Sequence, residues 1–270
     1  MFKTDPNASY MMPAHFGPRY MGEKTSGWYH DVTALVVPYR TDREKLAAYL
    51  PAQFEVAEDP VVSVFYACNK KVDWLAGRGY NMIGVNASVV FKGAEEQLQG
   101  TYSLVIWENL TDPILSGREL QGIPKVYADI PDATLTDGKY SCSASHFDSQ
   151  ILAMSIDKLR DITAEEAEAA MKDGEGKDNP MAWRYMPALG GFGPDAVNEI
   201  STFPSENVFT EAKIGQGKID WSHLSWEQNP TQYHIVNALA ELPILEYLPA
   251  MMTRGSTNLS LPERWTRSLR

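Results

Sequence analysis

From Asp31 onward, short apolar and β-branched segments alternate with turn residues at close spacing, and this pattern most limits what the chain can become. Residues 31–39 (DVTALVVPY), 61–67, 82–91 and 101–108 each read as a strand. Lys92-Gly-Ala-Glu-Glu96 reads as the hairpin turn between the last two. Residues 126–130, 139–147 and 150–156 continue the series, with a tight polar connection at 146–150. Residues 208–214 and 217–221 are two further strands, and 243–252 fits a strand or a short helix equally well by period. Helical signals are few. Thr41-Asp-Arg-Glu44 is a capping box before a short helix over 45–50, which Pro51 stops. Thr163-Ala-Glu-Glu166 is a second box, opening a helix that runs to Met171. This balance predicts an α+β, mainly β fold, with an antiparallel barrel-like sheet and a few short helices. No repeat or linker divides the 270 residues, so one domain spanning 1–270 is expected. Residues 1–27, rich in Pro, Gly and Met, form an N-terminal arm on the body or on a neighbouring subunit.

Charge and motif content exclude several function classes. A formal net charge of −11 repels polyanions, so nucleic acid is not an expected partner. The five histidines make no HxxxH or HExxH pair, and Cys68 and Cys142 make no CxxC, so no metal site is expected. Two cysteines do not build a disulfide scaffold. Residues 1–18 lack the apolar core of a signal peptide, and no run reaches the roughly 18 apolar residues of a membrane span. A cytoplasmic protein without membrane contact is the expectation. GxGxxG, GxxxxGK[ST] and GxSxG are all absent, so neither a nucleotide cofactor nor a serine nucleophile elbow is indicated.

The segment that carries chemistry is Ser116-Gly-Arg-Glu-Leu-Gln-Gly-Ile-Pro-Lys125. Gly117, Gly122 and Pro124 bend the backbone just before a lysine with apolar neighbours Ile123 and Val126. Desolvation disfavours an ammonium ion, and a neutral amine is the nucleophile that forms a Schiff base with a carbonyl. Lys125 on such a bend is therefore the candidate nucleophile; the alternative is a lysine snorkelling from a turn. Arg118 and Glu119 are placed to pair and tie the loop down.

Gly117-Arg-Glu-Leu120 followed by Pro124-Lys125 resembles the signature segment of the acetoacetate decarboxylase family. Tyr39-Arg-Thr-Asp42, Leu50-Pro51, Phe54-Glu-Val56 and Phe91-Lys-Gly93 are similar to family segments upstream. The resemblance implies that Lys125 forms the substrate imine, that no cofactor is needed, and that the chain forms a homo-oligomer, with a tetramer as the guess. Seen through it, the chain also departs from its relatives. Their second lysine is replaced by Val126, their two pocket glutamates fall at Phe65 and Met82, and no arginine stands near Asp31 or Val32, where theirs would fall. Divergent members are similar to aldolase-dehydratases, which condense pyruvate with an aldehyde and then lose water. That chemistry asks for neutral proton carriers near the imine. Gln121, Tyr247 and Glu119 are the candidates beside Lys125. Tyr80, Tyr66, Arg118, Phe65, Met82 and Val126 are the candidate substrate contacts, and Arg78 is a further group able to attract an acid. A small keto acid and an aldehyde are thus the expected partners. Decarboxylation of acetoacetate or another β-keto acid is the second reading, and a non-catalytic binding protein the third.

Overall fold

The computed structural model describes residues 2–19, 25–163, 165, 166, 168, 176, 177, 179–259 and 265–270. Their strands form one sheet of fifteen. In chain order these are β1 (Trp28–Arg40), β2 (Phe54–Val56), β3 (Val61–Val72), β4 (Tyr80–Lys92), β5 (Gln97–Glu108), β6 (Lys125–Tyr127), β7 (Thr134–Thr136), β8 (Lys139–His146), β9 (Ser149–Asp161), β10 (Pro180–Met186), β11 (Val197–Thr202), β12 (Glu206–Trp221), β13 (Glu246–Tyr247), β14 (Ala250–Asn258) and β15 (Arg267–Ser268). The helices are α1 (Arg43–Ala47), α2 (Thr111–Ser116) and α3 (Tyr233–Ala240). Across the sheet the order is β15-β11-β10-β5-β4-β3-β1-β14-β12-β9-β8-β7, with β2 on β4, β6 on β5 and β13 on β1.

The mainly β character agrees with the sequence reading, but the sheet is mixed and open, not a closed antiparallel barrel. Both exceptions lie on β5, which pairs in parallel with β6 through Ile106↔Lys125 and with β10 through Pro180↔Thr101. A parallel neighbour cannot be reached by a hairpin. Each arrives after a longer connection, and the two divide one edge of β5 between them.

Strand alternation assigns the residues to two faces. On the inner face Leu35, Val64, Tyr66, Ile83, Val85 and Trp107 join Ile151, Leu152, Ile156, Ile219 and Met252 from the far half of the sheet in one core. The sheet therefore wraps around that core without closing. α3 plugs it with Val236 and Leu239. Just before α3, Gln232 accepts from the Trp107 indole at 2.7 Å and donates to the Tyr127 carbonyl at 2.9 Å. The outer face of β3, β4 and β5 carries a smaller apolar patch of Phe65, Met82, Ile106, Ile123, Ala182 and Phe203.

Local differences from the sequence reading have simple causes. The cap of α1 is Asp42, accepting from the Lys45 amide at 2.9 Å, so the helix starts one residue later than the Thr41 box implies. Residues 208–214 and 217–221 are one strand, β12, whose register shifts at Phe209/Glu211 and Ile214/Gln216 where an extra residue bulges. Residues 243–252 hold β13 and the start of β14. The second capping box closes reciprocally, Glu166 amide to Thr163 Oγ1 at 3.2 Å and Thr163 amide to Glu166 Oε2 at 3.0 Å. The body of the helix expected to follow lies outside the described residues.

Candidate active site

The chain between β5 and β6 must reverse twice to lay β6 parallel to β5, and α2 makes that crossover. Pro113 sits in its first turn, where a missing amide proton costs little. Residues Gly117–Gln121 widen the helix into a π-turn, which Gly122 ends at φ 76°. The Ile123 amide then donates to the Gly117 carbonyl at 3.0 Å. Lys125 follows as the first residue of β6, only 8% exposed. Its Nζ donates to the Pro113 carbonyl at 3.1 Å and lies 2.8 Å from Oε1 of Glu108. A Cβ on Gly117 would stand 2.5 Å from both Cδ and Cε of Lys125. Only glycine there lets the lysine stem lie against the helix.

Glu108 is the buried charged neighbour of Lys125 that the sequence reading missed. It ends β5 and is fully buried. Burial raises its carboxyl above the usual carboxylate range, and the Lys125 charge opposes that rise. Neither carboxylate oxygen has a hydrogen-bond partner among the described residues; the approach of Nζ is an ion-pair distance without hydrogen-bond alignment. A buried carboxyl without a hydrogen-bond partner favours its protonated form, and the adjacent Lys125 charge is what works against that. The signal was present in the register. Met82, where the family resemblance places a glutamate, pairs directly with Glu108 across β4 and β5. A carboxylate thus reaches the same face from the adjacent strand.

The outer face brings several expected residues to this pair. Ala34, Ala67, Met82 and Glu108 form one row across β1, β3, β4 and β5. Phe65 and Met82 pack with Ile106 and Ile123 beside it. The Phe65 ring lies over Gly84, where a Cβ would come within 2.4 Å of it. Tyr80, two residues before Met82, shares its face and is buried. Burial holds its phenol far above the usual range, and nearby Tyr29 and Glu108 push the same way. Its hydroxyl lies 3.3 Å from that of Tyr29, which accepts from the Trp74 indole at 3.0 Å.

Other expected residues lie elsewhere. Tyr66 points to the inner core, one residue out of phase with Phe65, and its hydroxyl accepts from the Ala133 amide at 2.9 Å. Val126 likewise packs on the inner core, because alternation sends it away from Lys125. Tyr247 pairs with Tyr39 on β1, five residues from Ala34 and so roughly 16 Å along the strand from the Glu108 row. It is bound to the Ile219 backbone, accepting from the amide at 3.0 Å. Glu119 is half-buried with no ion pair to Lys125 or Arg118, and Arg118 instead donates to the Lys125 carbonyl at 2.9 Å. Gln121 is buried on the π-turn, its amide donating to Thr266 at 3.3 Å and its carbonyl accepting from Ser201. Arg78 is exposed and donates to the Leu75 carbonyl at 3.4 Å.

The N-terminal arm packs on the body next to this site. Arg19 stacks over the Trp74 ring at 5.4 Å and also contacts the Met11 sulfur. A cavity of about 510 Å³ lies between the arm, Trp74 and the Asp112 and Leu115 side of α2. Among the described residues no group of three or more His, Cys, Asp or Glu side chains is placed to hold a metal, and no helix is long and apolar enough to cross a membrane.

Comparison with known proteins places this architecture. The chain is 24% identical over 245 residues to the decarboxylase DEC1 of Cochliobolus heterostrophus, covering 89% of this chain and 88% of that one. The acetoacetate decarboxylase of Legionella pneumophila superposes with a TM-score of 0.71 at 16% identity, over 100% of this chain and 98% of that one. The enduracididine biosynthesis enzyme MppR, complexed with the condensation product of pyruvate and imidazole 4-carboxaldehyde, superposes with a TM-score of 0.68 at 14% identity, over 98% and 97% of the two chains. At these identities the superpositions speak for the fold. The family model for acetoacetate decarboxylase matches residues 11–260, and the chain belongs to the acetoacetate decarboxylase family of lyases.

Proposed function

We propose that the protein is a Schiff-base aldolase-dehydratase that condenses pyruvate with an aldehyde on Lys125. The observation that carries this reading is a buried amine 2.8 Å from one buried carboxylate, on the sheet face that also carries the apolar cluster of Phe65, Met82, Ile106 and Ile123. Glu108 takes the ammonium proton, and the neutral amine adds to the ketone of pyruvate. Loss of water, with the proton from Glu108, leaves an iminium beside a carboxylate. The iminium acidifies the pyruvate methyl group, and Glu108 removes one of its protons to give the enamine. The enamine carbon attacks the aldehyde. Dehydration and hydrolysis then release a conjugated keto acid and free Lys125.

A base beside the imine is needed on this route, because the enamine arises by C–H cleavage. Decarboxylation of a β-keto acid imine reaches an enamine by losing CO₂ and needs no such base. The names of the relatives favour decarboxylation as the second reading. Borohydride trapping with pyruvate, mapped by peptide mass spectrometry, should label Lys125, and Lys125→Ala should not label. Glu108→Gln should slow deuterium exchange into the pyruvate methyl group by about 10²–10⁴, the range for a positioned base. Rapid acetone and CO₂ production from acetoacetate, with no ultraviolet-absorbing product from pyruvate plus aldehyde, would select the decarboxylase. Label on another lysine, or on none, sinks the imine chemistry altogether.

A further inference from the structure

The outer face holds a second polar pair that imine formation does not use. Asn69 and Tyr80 are register partners on β3 and β4, so their side chains rise side by side on the face that carries Met82 and Glu108. Asn69 is 3% exposed and its Nδ2 has no hydrogen-bond partner among the described residues. A buried amide that donates to nothing is costly and rare. Tyr80 is buried too, and among the described residues its hydroxyl contact is with Tyr29, which accepts the Trp74 indole proton. Around them the surface is apolar, with Val72, Val32, Met82 and Leu110 packed together.

We propose that Asn69 and Tyr80 form a neutral two-donor site for the carbonyl oxygen of the second substrate, an uncharged aromatic or unsaturated aldehyde. This rests on the imine reading above. Either hydroxyl of the Tyr29–Tyr80 contact can donate; when Tyr29 is the donor, the Tyr80 proton is left for the substrate oxygen. As the enamine carbon bonds to the aldehyde carbon, the C=O π pair moves to oxygen. Nitrogen donates its lone pair and the iminium returns. The oxygen takes the Tyr80 proton, and Tyr80 is reprotonated by Glu108, which holds the proton taken from the pyruvate methyl group. The net change is one C–C bond made and one proton moved from carbon to oxygen. Donors aimed at a developing alkoxide stabilise it most where water is excluded. Being neutral, they also leave the apolar wall of Met82 and Phe65 to bind the ring or chain of the aldehyde. Tyr29 and Trp74 are positioning residues.

The test separates the two halves of the reaction. Wild type, Asn69→Ala, Asn69→Ser, Tyr80→Phe and Tyr29→Phe are compared in three assays. These are borohydride trapping of pyruvate, deuterium exchange into its methyl group, and formation of the conjugated product from pyruvate plus benzaldehyde. Asn69→Ala and Tyr80→Phe should trap and exchange as wild type does, yet lose about 10²–10³ in condensation rate, the range for a lost oxyanion donor. Asn69→Ser, which keeps a donor, should recover part of that loss. Tyr29→Phe should lower kcat for condensation without changing exchange. Unchanged condensation in the first two variants overturns the assignment. So does a parallel loss of all three reactions, which marks the residues as structural. Wild type that traps no pyruvate overturns the imine reading itself, and this one with it.

Discussion

Lys125 and Glu108 form one buried unit, and burial sets the titration of Glu108 more than the neighbouring charge does. Removing the lysine exposes that dependence. In Lys125→Met the carboxyl keeps its desolvation and loses the opposing charge, so its folded pKa rises further above its unfolded value. A raised pKa stabilises the fold fully below the unfolded pKa, and that contribution is lost as pH rises through the folded one. Urea unfolding of Lys125→Met should therefore show stability falling between mildly acidic and neutral pH more steeply than in wild type. Identical pH profiles would mean that water reaches Glu108. Gly117 offers a steric test of the same unit. In Gly117→Ala the new methyl meets Lys125 Cδ and Cε at 2.5 Å, and relief requires the lysine to move. A cost of about 1–3 kcal/mol is expected in thermal or urea unfolding, together with loss of pyruvate trapping. Normal trapping at normal stability would place the lysine elsewhere. Lys125 was legible in the sequence because a local bend and local apolar neighbours mark it. Glu108 was not, because its role depends on a cross-strand row.

At the scale of elements, the strand pattern was readable wherever one face is buried and the other is not. β3 and β4 alternate over much of their length; β4 falls close to the expected 82–91, while β3 runs on to Val72, past the expected end at Ala67. α2 was hidden: it is short, carries a proline, and follows Asn109-Leu110, a sequence that offers no cap hydrogen bond. The capping box at Thr163 was legible, since its partners lie three residues apart. Glu166 accepts from Arg160 and from the Thr163 amide, which hold its carboxyl down to about 2 from the usual 4.5. A depressed carboxyl stabilises above its unfolded pKa and loses that contribution as pH falls through the folded value. Glu166→Gln should thus lower Tm at pH 7, and the difference from wild type should close as pH falls from about 4.5 towards 2. A gap that persists at the acid end would assign the effect to packing.

On the scale of the whole molecule, the β10–β11 hairpin ends in Leu189 and Phe192, 104% and 91% exposed, beyond a Trp183–Tyr185 ring pair with centroids 5.0 Å apart. Apolar side chains so placed stabilise nothing within one chain. The double variant Leu189→Ser, Phe192→Ser should leave unfolding within about 0.5 kcal/mol of wild type, as expected of exposed positions. Sedimentation velocity should show wild type above the 30.2 kDa of one chain, and the variant shifted towards it. A wild-type monomer would remove the expected homo-oligomer. What the sequence by itself determined is local: a mainly β chain, its turns and caps, and one lysine on a glycine–proline bend, because each rests on residues within a few positions of one another. Only the tertiary structure decided the rest. An open sheet in place of a barrel follows from two parallel partners sharing one edge of β5. That Glu108 and not Glu119 stands beside Lys125, and that of the three candidate tyrosines Tyr80 shares this face while Tyr66 and Tyr247 do not, follows from which face each strand residue presents once register is set. A shift of one residue sends a side chain to the opposite face, and strand register depends on pairing between segments far apart in sequence.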